Sequence, residues 1–127
     1  MKSEEAERLA LLIFNTARRA GAHALTGYRK PMNVEKKGVI DLVTDFDKST
    51  EVFIREELAR LAPDIDIIAE ESGGESNSER VCYVDPIDGT SNYAHGHPFW
   101  CVSIGLVVRG VPVAGAVVAP ALNCEWL

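Results

Sequence analysis

The residues best suited to chemistry in this chain are six consecutive ones, Asp85–Thr90, which read DPIDGT. Asp85 and Asp88 lie three positions apart and offer hard carboxylate oxygens of the kind that Mg²⁺ prefers. Gly89 allows a ligand to approach the backbone closely. Thr90 supplies a hydroxyl and a backbone N–H where a helix could begin, and such a helix end attracts phosphate. Metal ligands beside an anion site indicate metal-assisted phosphate chemistry.

Two further acidic clusters lie at the ends of predicted elements. Residues 41–47 (DLVTDFD) open a predicted helix, and Glu70-Glu71 close a predicted strand, as Asp85 and Asp88 close the next one. Strand ends and loop starts commonly carry functional groups. If these ends converge, the crowded carboxylates need cations to neutralise them. The pattern therefore predicts a divalent metal site.

The bulk properties indicate one globular domain. The 127 residues are 46% hydrophobic and 25% charged, with a net charge of −6. Scattered basic residues in an acidic chain argue against direct nucleic-acid binding, because phosphate contacts need clustered Lys and Arg. The absence of a signal peptide and of an apolar run of about 20 residues predicts a cytoplasmic protein with no membrane partner. Three cysteines without a CxxC pair predict reduced thiols.

Hydrophobic periodicity predicts two helices, over about Glu4–Tyr28 and about Asp45–Ala62. Thr44 or Asp45 is the expected N-cap of the second helix. Strands are predicted over Ile65–Ala69, Val81–Val84, Cys101–Val108 and Val111–Val118, the last two forming a hairpin, while Lys30–Ile40 is a loop or a short strand. This order predicts an α+β fold with layered helices on an antiparallel sheet. The chain stops soon after strand-like sequence, so we expect an open sheet edge and a chain that looks cut off.

Three segments in register resemble the N-terminal half of the inositol monophosphatase family. They are DLVTDFD (41–47), IIAEES (67–72) and VDPIDGTSNYAHGHPFWCVSIGL (84–106). The resemblance spans about Ala6 to Val118 and implies Mg²⁺ as cofactor and sensitivity to lithium. It implies that residues 1–127 form an N-terminal α+β domain, with the C-terminal half absent from this sequence. For a full-length protein it also implies a homo-oligomer, as a dimer.

The resemblance implies a set of metal ligands. Glu70 and Asp85 would bind a first metal, together with the backbone carbonyl of Ile87. Asp85 would bridge to a second metal, and Asp88 would be a ligand of that metal. Glu71 would lie behind these ligands and support them without touching the metal.

The resemblance also implies the catalytic and phosphate-binding residues. Glu70 would help to hold the metal-bound water that attacks phosphorus. Thr90 and Asp47 would form a hydrogen-bonded pair that polarises this water. The backbone N–H groups of Gly89 and Thr90 would hold the phosphate.

The implied function is Mg²⁺-dependent hydrolysis of inositol monophosphate, or of a similar small polyol phosphate, by a metal-activated water. The string DPIDGTSNYAHGHPF favours this branch, while histidinol phosphate, fructose 1,6-bisphosphate and NADP stay open as substrates. Members of the family are about twice this length, and their second half supplies an aspartate to the second metal site. The alternative is a catalytically incomplete fragment that acts as an interaction or oligomerisation module.

Overall fold

The computed structural model describes residues 2–31, 34–37, 41–69 and 78–127. Within these ranges the chain forms three α-helices, each followed by two or three strands. The elements, in chain order, are α1 (Ser3–Gly27), β1 (Val34–Lys37), β2 (Asp41–Thr44), α2 (Asp45–Leu61), β3 (Asp66–Ala69), β4 (Arg80–Asp88), α3 (Thr90–Ala94), β5 (Cys101–Val108), β6 (Val111–Ala119) and β7 (Cys124–Trp126), with a 3₁₀ turn at Pro120–Leu122.

Five strands form the main sheet, in the order β3-β4-β5-β6-β7, and β1 pairs with β2 in a separate two-stranded sheet. β3 runs parallel to β4, whereas every other neighbouring pair of the main sheet is antiparallel. The predicted α+β class with layered helices is confirmed. The sheet is mixed rather than purely antiparallel, because β3 joins it in the same direction as β4.

The core lies between the main sheet and the two long helices. Ile13 of α1 and Leu58 of α2 are fully buried in one apolar cluster with Val102 and Ile104 of β5. Since side chains alternate along a strand, these positions define the face of the sheet that the helices cover. None of the described helices carries an apolar stretch of the length needed to cross a bilayer.

The two long helices touch each other directly near the end of α1. A methyl group built on Gly27 would lie 2.2 Å from the ring of Phe46, in the first turn of α2. Only a residue without a side chain fits this contact. Phe46 immediately precedes Asp47, so the end of α1 packs directly against the turn of α2 that carries Asp47.

The predicted boundaries of both helices and of the β5–β6 hairpin agree with the structure within one or two residues. α2 begins at Asp45 as expected, and it is preceded by β2, a short strand that was not predicted. Two expectations were wrong. β4 does not end at Val84 but continues to Asp88. A further strand, β7, covers the sheet beyond β6, where we expected the edge.

Candidate active site

Asp85 and Asp88 lie in the last part of β4, where the pairing with β5 is irregular. Asp85 pairs with Ser103 and Asp88 with Cys101, so three steps along β4 match two steps along β5. The extra residue is a β-bulge, which re-aims side chains and is common beside active sites. Regular alternation would place residues three apart on opposite faces. The bulge instead brings Asp85 and Asp88 to the same side of the sheet.

The charge at this strand end acts on the thiol of Cys101. Burial raises the pKa of Cys101 to about 11, and the negative charges of Asp88 and Asp85 contribute to the rise. Both carboxylates therefore lie within electrostatic reach of one thiol. Clustered negative charge of this kind is stabilised by a cation.

Gly89 turns the chain from β4 into α3. Its backbone is left-handed, with φ of 90°, and a Cβ at this position would lie 2.8 Å from the carbonyl oxygen of Phe99. Both observations require glycine. The turn places Thr90 at the first position of α3, directly after Asp88. The two predicted phosphate-binding residues, Gly89 and Thr90, thus follow the carboxylates without a gap.

The hydroxyl of Thr90 lies between two acceptors. It is 2.6 Å from Oδ1 of Asp47 and 3.0 Å from the carbonyl oxygen of Ile87. A hydroxyl has one proton, and the shorter contact to an ionised acceptor is the stronger one. The proton is therefore donated to Asp47. The structure contains the hydrogen-bonded pair that the resemblance implied, although the catalytic role of the pair stays a prediction.

Asp47 is fully buried and is held on its other oxygen by Thr44. Oδ2 of Asp47 accepts from the backbone N–H of Thr44 at 2.9 Å and from its hydroxyl at 2.5 Å. The hydroxyl of Thr44 in turn accepts from the N–H of Asp47 at 3.2 Å. This is a capping box, which fixes the side chain at the third helical position. We expected Thr44 only as a helix cap; the Thr-x-x-Asp spacing is the signal for this second role.

Aromatic packing fixes α3 above the core. The hydroxyl of Tyr93 donates to the carbonyl of Ala24 in α1 at 2.7 Å, and the ring meets that of Trp100 edge to face at 4.8 Å. Burial, and then the charge of Asp47, raises the pKa of Tyr93, which keeps this donor protonated. α3 is thereby anchored to α1 while its first residue, Thr90, contacts α2.

A cavity of about 380 Å³ opens beside Asp88. Asn92 and Phe99 form one wall, and the side-chain amide of Asn92 donates to the carbonyl of Phe99 at 2.8 Å. Val117 and Trp126 form the other wall. The cavity is mostly apolar, and Asp88 and Asn92 are among its polar lining residues.

The family model described as the inositol monophosphatase family matches residues 5–126. This chain belongs to the inositol monophosphatase family. The resemblance inferred from the three motifs is therefore confirmed.

Named relatives agree with membership of the inositol monophosphatase family. "Inositol monophosphatase 2" of Solanum lycopersicum is 41% identical over 123 residues, which are 92% of this chain and 46% of the relative. "Fructose-1,6-bisphosphatase/inositol-1-monophosphatase" of Aquifex aeolicus is 43% identical over 95 residues, which are 74% of this chain and 36% of the relative. The solved structure of a Thermotoga maritima IMPase is 36% identical with a TM-score of 0.86, covering 94% of this chain and 46% of that one. The chain thus spans about half the length of these relatives, or less.

Two of the acidic residues that the resemblance to the inositol monophosphatase family singled out, Glu70 and Glu71, lie outside the described residues. Within the ranges that the structure describes, no group of three or more His, Cys, Asp or Glu side chains is arranged to hold a metal. The described part contains Asp85, the Ile87 carbonyl and Asp88 within four consecutive residues at the end of β4. All three offer oxygen, which fits Mg²⁺ in kind, and a further ligand is needed to complete a site.

Proposed function

We propose that this chain forms the metal-binding and phosphate-binding part of a Mg²⁺-dependent phosphomonoesterase acting on inositol monophosphate or a similar small polyol phosphate. One observation carries the proposal: the Thr90 hydroxyl donates to the buried carboxylate of Asp47 immediately beside the Asp85–Asp88 bulge. Membership of the inositol monophosphatase family supports the reaction class.

In the proposed site, Asp85, Asp88 and the carbonyl of Ile87 hold Mg²⁺, with Glu70 as the proposed further ligand. Donation of the Thr90 proton to Asp47 leaves the lone pairs of the Ile87 carbonyl for a cation. When bound, Mg²⁺ lowers the pKa of a water molecule and offsets the charge of the phosphate oxygens. The need for a divalent cation therefore follows from an acidic site that must accept a dianionic substrate.

Thr90 and Asp47 supply the proton acceptor. The hydroxyl of Thr90 donates its hydrogen bond to Oδ1 of Asp47. The lone pairs of Oγ1 of Thr90 are therefore free to accept a proton from the attacking water. The water proton passes to Oγ1 of Thr90 as the Thr90 proton passes to Asp47, which completes a general-base step. Thr44 keeps Asp47 in place throughout, since it binds the other carboxylate oxygen.

The protonation state of Cys101 is consistent with direct attack by water. With a pKa of about 11, Cys101 is a neutral thiol at neutral pH, and only the thiolate is a good nucleophile. Cys101 therefore does not compete for the phosphorus atom. The backbone N–H groups of Gly89 and Thr90 are the proposed donors to the phosphate oxygens.

The cavity beside Asp88 offers a place for the alcohol part of the substrate, and Asn92 is one of its polar lining residues. A relative named for both fructose-1,6-bisphosphatase and inositol-1-monophosphatase activities supports a small phosphorylated polyol as the class. Dimerisation of the full-length protein is proposed on the resemblance alone.

The test begins with the intact mass of the protein as its source produces it. Phosphate release from inositol 1-phosphate is then measured on that species with Mg²⁺, with a chelator and with lithium. Fructose 1,6-bisphosphate, histidinol phosphate and NADP are assayed alongside. We expect hydrolysis that requires Mg²⁺, is inhibited by lithium and prefers the inositol ester. Release that persists in the chelator would contradict the proposed reaction.

A further inference from the structure

The loop of residues 95–100 connects α3 to β5 and ends against the turn that carries Thr90 into the site. This segment is the α3–β5 loop. The carbonyl oxygen of Phe99 lies 2.8 Å from the position that a Cβ of Gly89 would take, and the Cα of Trp100 lies 3.3 Å from it. The loop therefore blocks movement of Gly89 towards β5. Because Gly89 immediately precedes Thr90, the position of Phe99 limits where the Thr90 hydroxyl can lie.

Asn92 of α3 holds the α3–β5 loop with two hydrogen bonds. Its side-chain amide donates to the carbonyl oxygen of Phe99 at 2.8 Å. Its backbone carbonyl accepts from the N–H of His97, also at 2.8 Å. Asn92 is exposed, so its side chain fills no part of the core. The carbonyl that meets Gly89 is thus fixed by a side chain that does not hold the fold together.

The end of α1 holds the α3–β5 loop at a second point, the carbonyl oxygen of Gly96. This oxygen accepts from the hydroxyl of Tyr28 at 2.7 Å and from Nε of Arg29 at 3.1 Å. The guanidinium of Arg29 also lies over the Tyr28 ring, 5.2 Å from its centroid, an arrangement in which the ring attracts the cation. The loop is therefore attached to α1 at Gly96 and to α3 at Phe99.

Arg29 makes its contact with the loop from a strained backbone. The N–H of Lys30 donates to the carbonyl of Gly27 at 3.2 Å, Tyr28 has φ of −66° and ψ of 132°, and Arg29 has φ of 61°. These values are those of a type II turn, whose third residue is normally glycine. An arginine adopts the left-handed conformation at a cost that glycine avoids. Such strain clusters at functional sites, and here it places the side chain that reaches Gly96.

We propose that the α3–β5 loop sets the position of the Thr90 hydroxyl at Asp47. Asn92 is the positioning residue that fixes the end of the loop, and Arg29 supports the loop from α1. The proposal rests on the proposed function, in which the Thr90–Asp47 pair accepts the proton of the attacking water. A general base acts only within hydrogen-bond reach of the proton that it accepts, and a small displacement of a catalytic group lowers the rate strongly.

The experiment removes the two attachments of the loop separately. Asn92→Ala removes the side-chain donor at the end of the loop, and Arg29→Gly removes the donor from α1 while relieving the strained backbone. Asn15→Ala, on the exposed side of α1, is the matched control for loss of an exposed asparagine side chain. Asn92→Ala is also combined with Thr90→Val. The measurements are kcat and KM for inositol 1-phosphate on the protein as its source produces it, and the free energy of unfolding in urea.

We expect Asn92→Ala to lower kcat by about ten- to a hundredfold. KM should change by less than about threefold, because the variant disturbs the proton acceptor and not substrate binding. Arg29→Gly should also lower kcat, with a urea midpoint no lower than that of the wild type, since glycine adopts positive φ without strain. Asn15→Ala should leave both kinetic constants unchanged. In the Thr90→Val background, Asn92→Ala should have almost no further effect on kcat, because residues that act as a unit are not additive.

A rise in KM with unchanged kcat would mean that Asn92 contacts the alcohol part of the substrate directly, and it would overturn the proposal. Independent effects of Asn92→Ala and Thr90→Val on kcat would overturn it as well, as would a wild-type kcat in Arg29→Gly.

The unfolding measurements need no catalysis and therefore separate this inference from the proposed function. Thr90→Val should cost less stability in the Asn92→Ala background than in the wild type, because the bond from Thr90 to Asp47 is then already weakened. An equal cost in the two backgrounds would overturn the role given to the loop. Absence of hydrolysis by the wild type would contradict the proposed function, and the unfolding measurements would then decide on the loop alone.

Discussion

Thr90, at the start of α3, donates its hydroxyl proton to Asp47, in the first turn of α2, over 2.6 Å and across 43 positions of sequence. The bond joins an acidic side chain that is fully buried to the residue that follows the DPIDG segment. It is the contact through which α2 reaches the candidate site.

Thr90→Val is expected to remove the proton donor of Asp47 and the acceptor of the attacking water together. The free energy of unfolding should fall by about 1–3 kcal/mol, because a buried acceptor loses its partner. Phosphate release should fall by about 10²–10⁴-fold, the usual contribution of a general base. Urea unfolding and a phosphate assay on the active species give both numbers. Thr90→Ser keeps the hydroxyl and serves as control; equal rates for the two variants would contradict the proposed base.

Thr44→Val should disturb the Thr90–Asp47 pair through the other carboxylate oxygen of Asp47. The variant loses the N-cap acceptor of α2 and one donor to Oδ2 of Asp47. The expected loss in the free energy of unfolding is about 1–2 kcal/mol, and urea denaturation measures it. Thr44→Ser retains both interactions and should stay near the wild type. A Thr44→Val variant as stable as the wild type would contradict the role assigned to the hydroxyl.

Asp88→Asn should abolish turnover and leave the fold intact. Asp88 is exposed, so the change removes charge and no core volume. Stability should stay within about 0.5 kcal/mol. Mg²⁺-dependent phosphate release should fall by about 10²-fold or more, since even residues that only support metal ligands cost up to that factor. Glu56→Gln, on the exposed side of α2, is the charge-matched control. Undiminished release by Asp88→Asn would refute its assignment as a metal ligand.

The buried thiol of Cys82 should make the free energy of unfolding depend on pH in the alkaline range. The thiol is fully buried, and burial raises its pKa from 9.0 to about 12. A group with a raised folded-state pKa stabilises the fold below its unfolded pKa, and this contribution is lost as pH rises towards the folded value. The free energy of unfolding should therefore fall between about pH 9 and pH 12, with a slope approaching about 1.4 kcal/mol per pH unit from this thiol.

The matching measurement is urea unfolding at about pH 8 and about pH 10.5 for the wild type and Cys82→Ala. Cys82→Ala is less stable at both values because it leaves a small cavity, but its stability should fall less between them. Parallel losses in the two proteins would show that other groups cause the alkaline destabilisation.

Local patterns predicted the elements whose cause is local. The apolar periodicity of α1 and α2 and the two adjacent apolar runs that form the β5–β6 hairpin were sufficient, because helix faces and hairpins depend on neighbouring residues. β2 and β7 are short strands that are stabilised by pairing with β1 and β6. Segments of three or four residues are too short for a sequence pattern to predict them. The parallel direction of β3 likewise depends on β4 alone.

The site divides in the same way. Asp85 and Asp88 could be singled out from their residue types and spacing, but their common side depends on the bulge against β5, which only the pairing register reveals. The contact between Thr90 and Asp47 followed from the family resemblance, since no spacing rule links residues 43 positions apart. The Thr-x-x-Asp spacing indicates that Thr44 also fixes the side chain of Asp47, but Thr44 was interpreted only as a helix cap.

The contact between Gly27 and Phe46 gives a position remote from the chemistry control over it. Any side chain at Gly27 must displace the ring that immediately precedes Asp47, and where the ring cannot turn aside the first turn of α2 would have to shift. The shift would act on the proton acceptor while every residue of the site kept its identity. Loss-of-function alleles at Gly27 would therefore belong to the temperature-sensitive class in a genetic screen, and compensating alleles would map to Phe46.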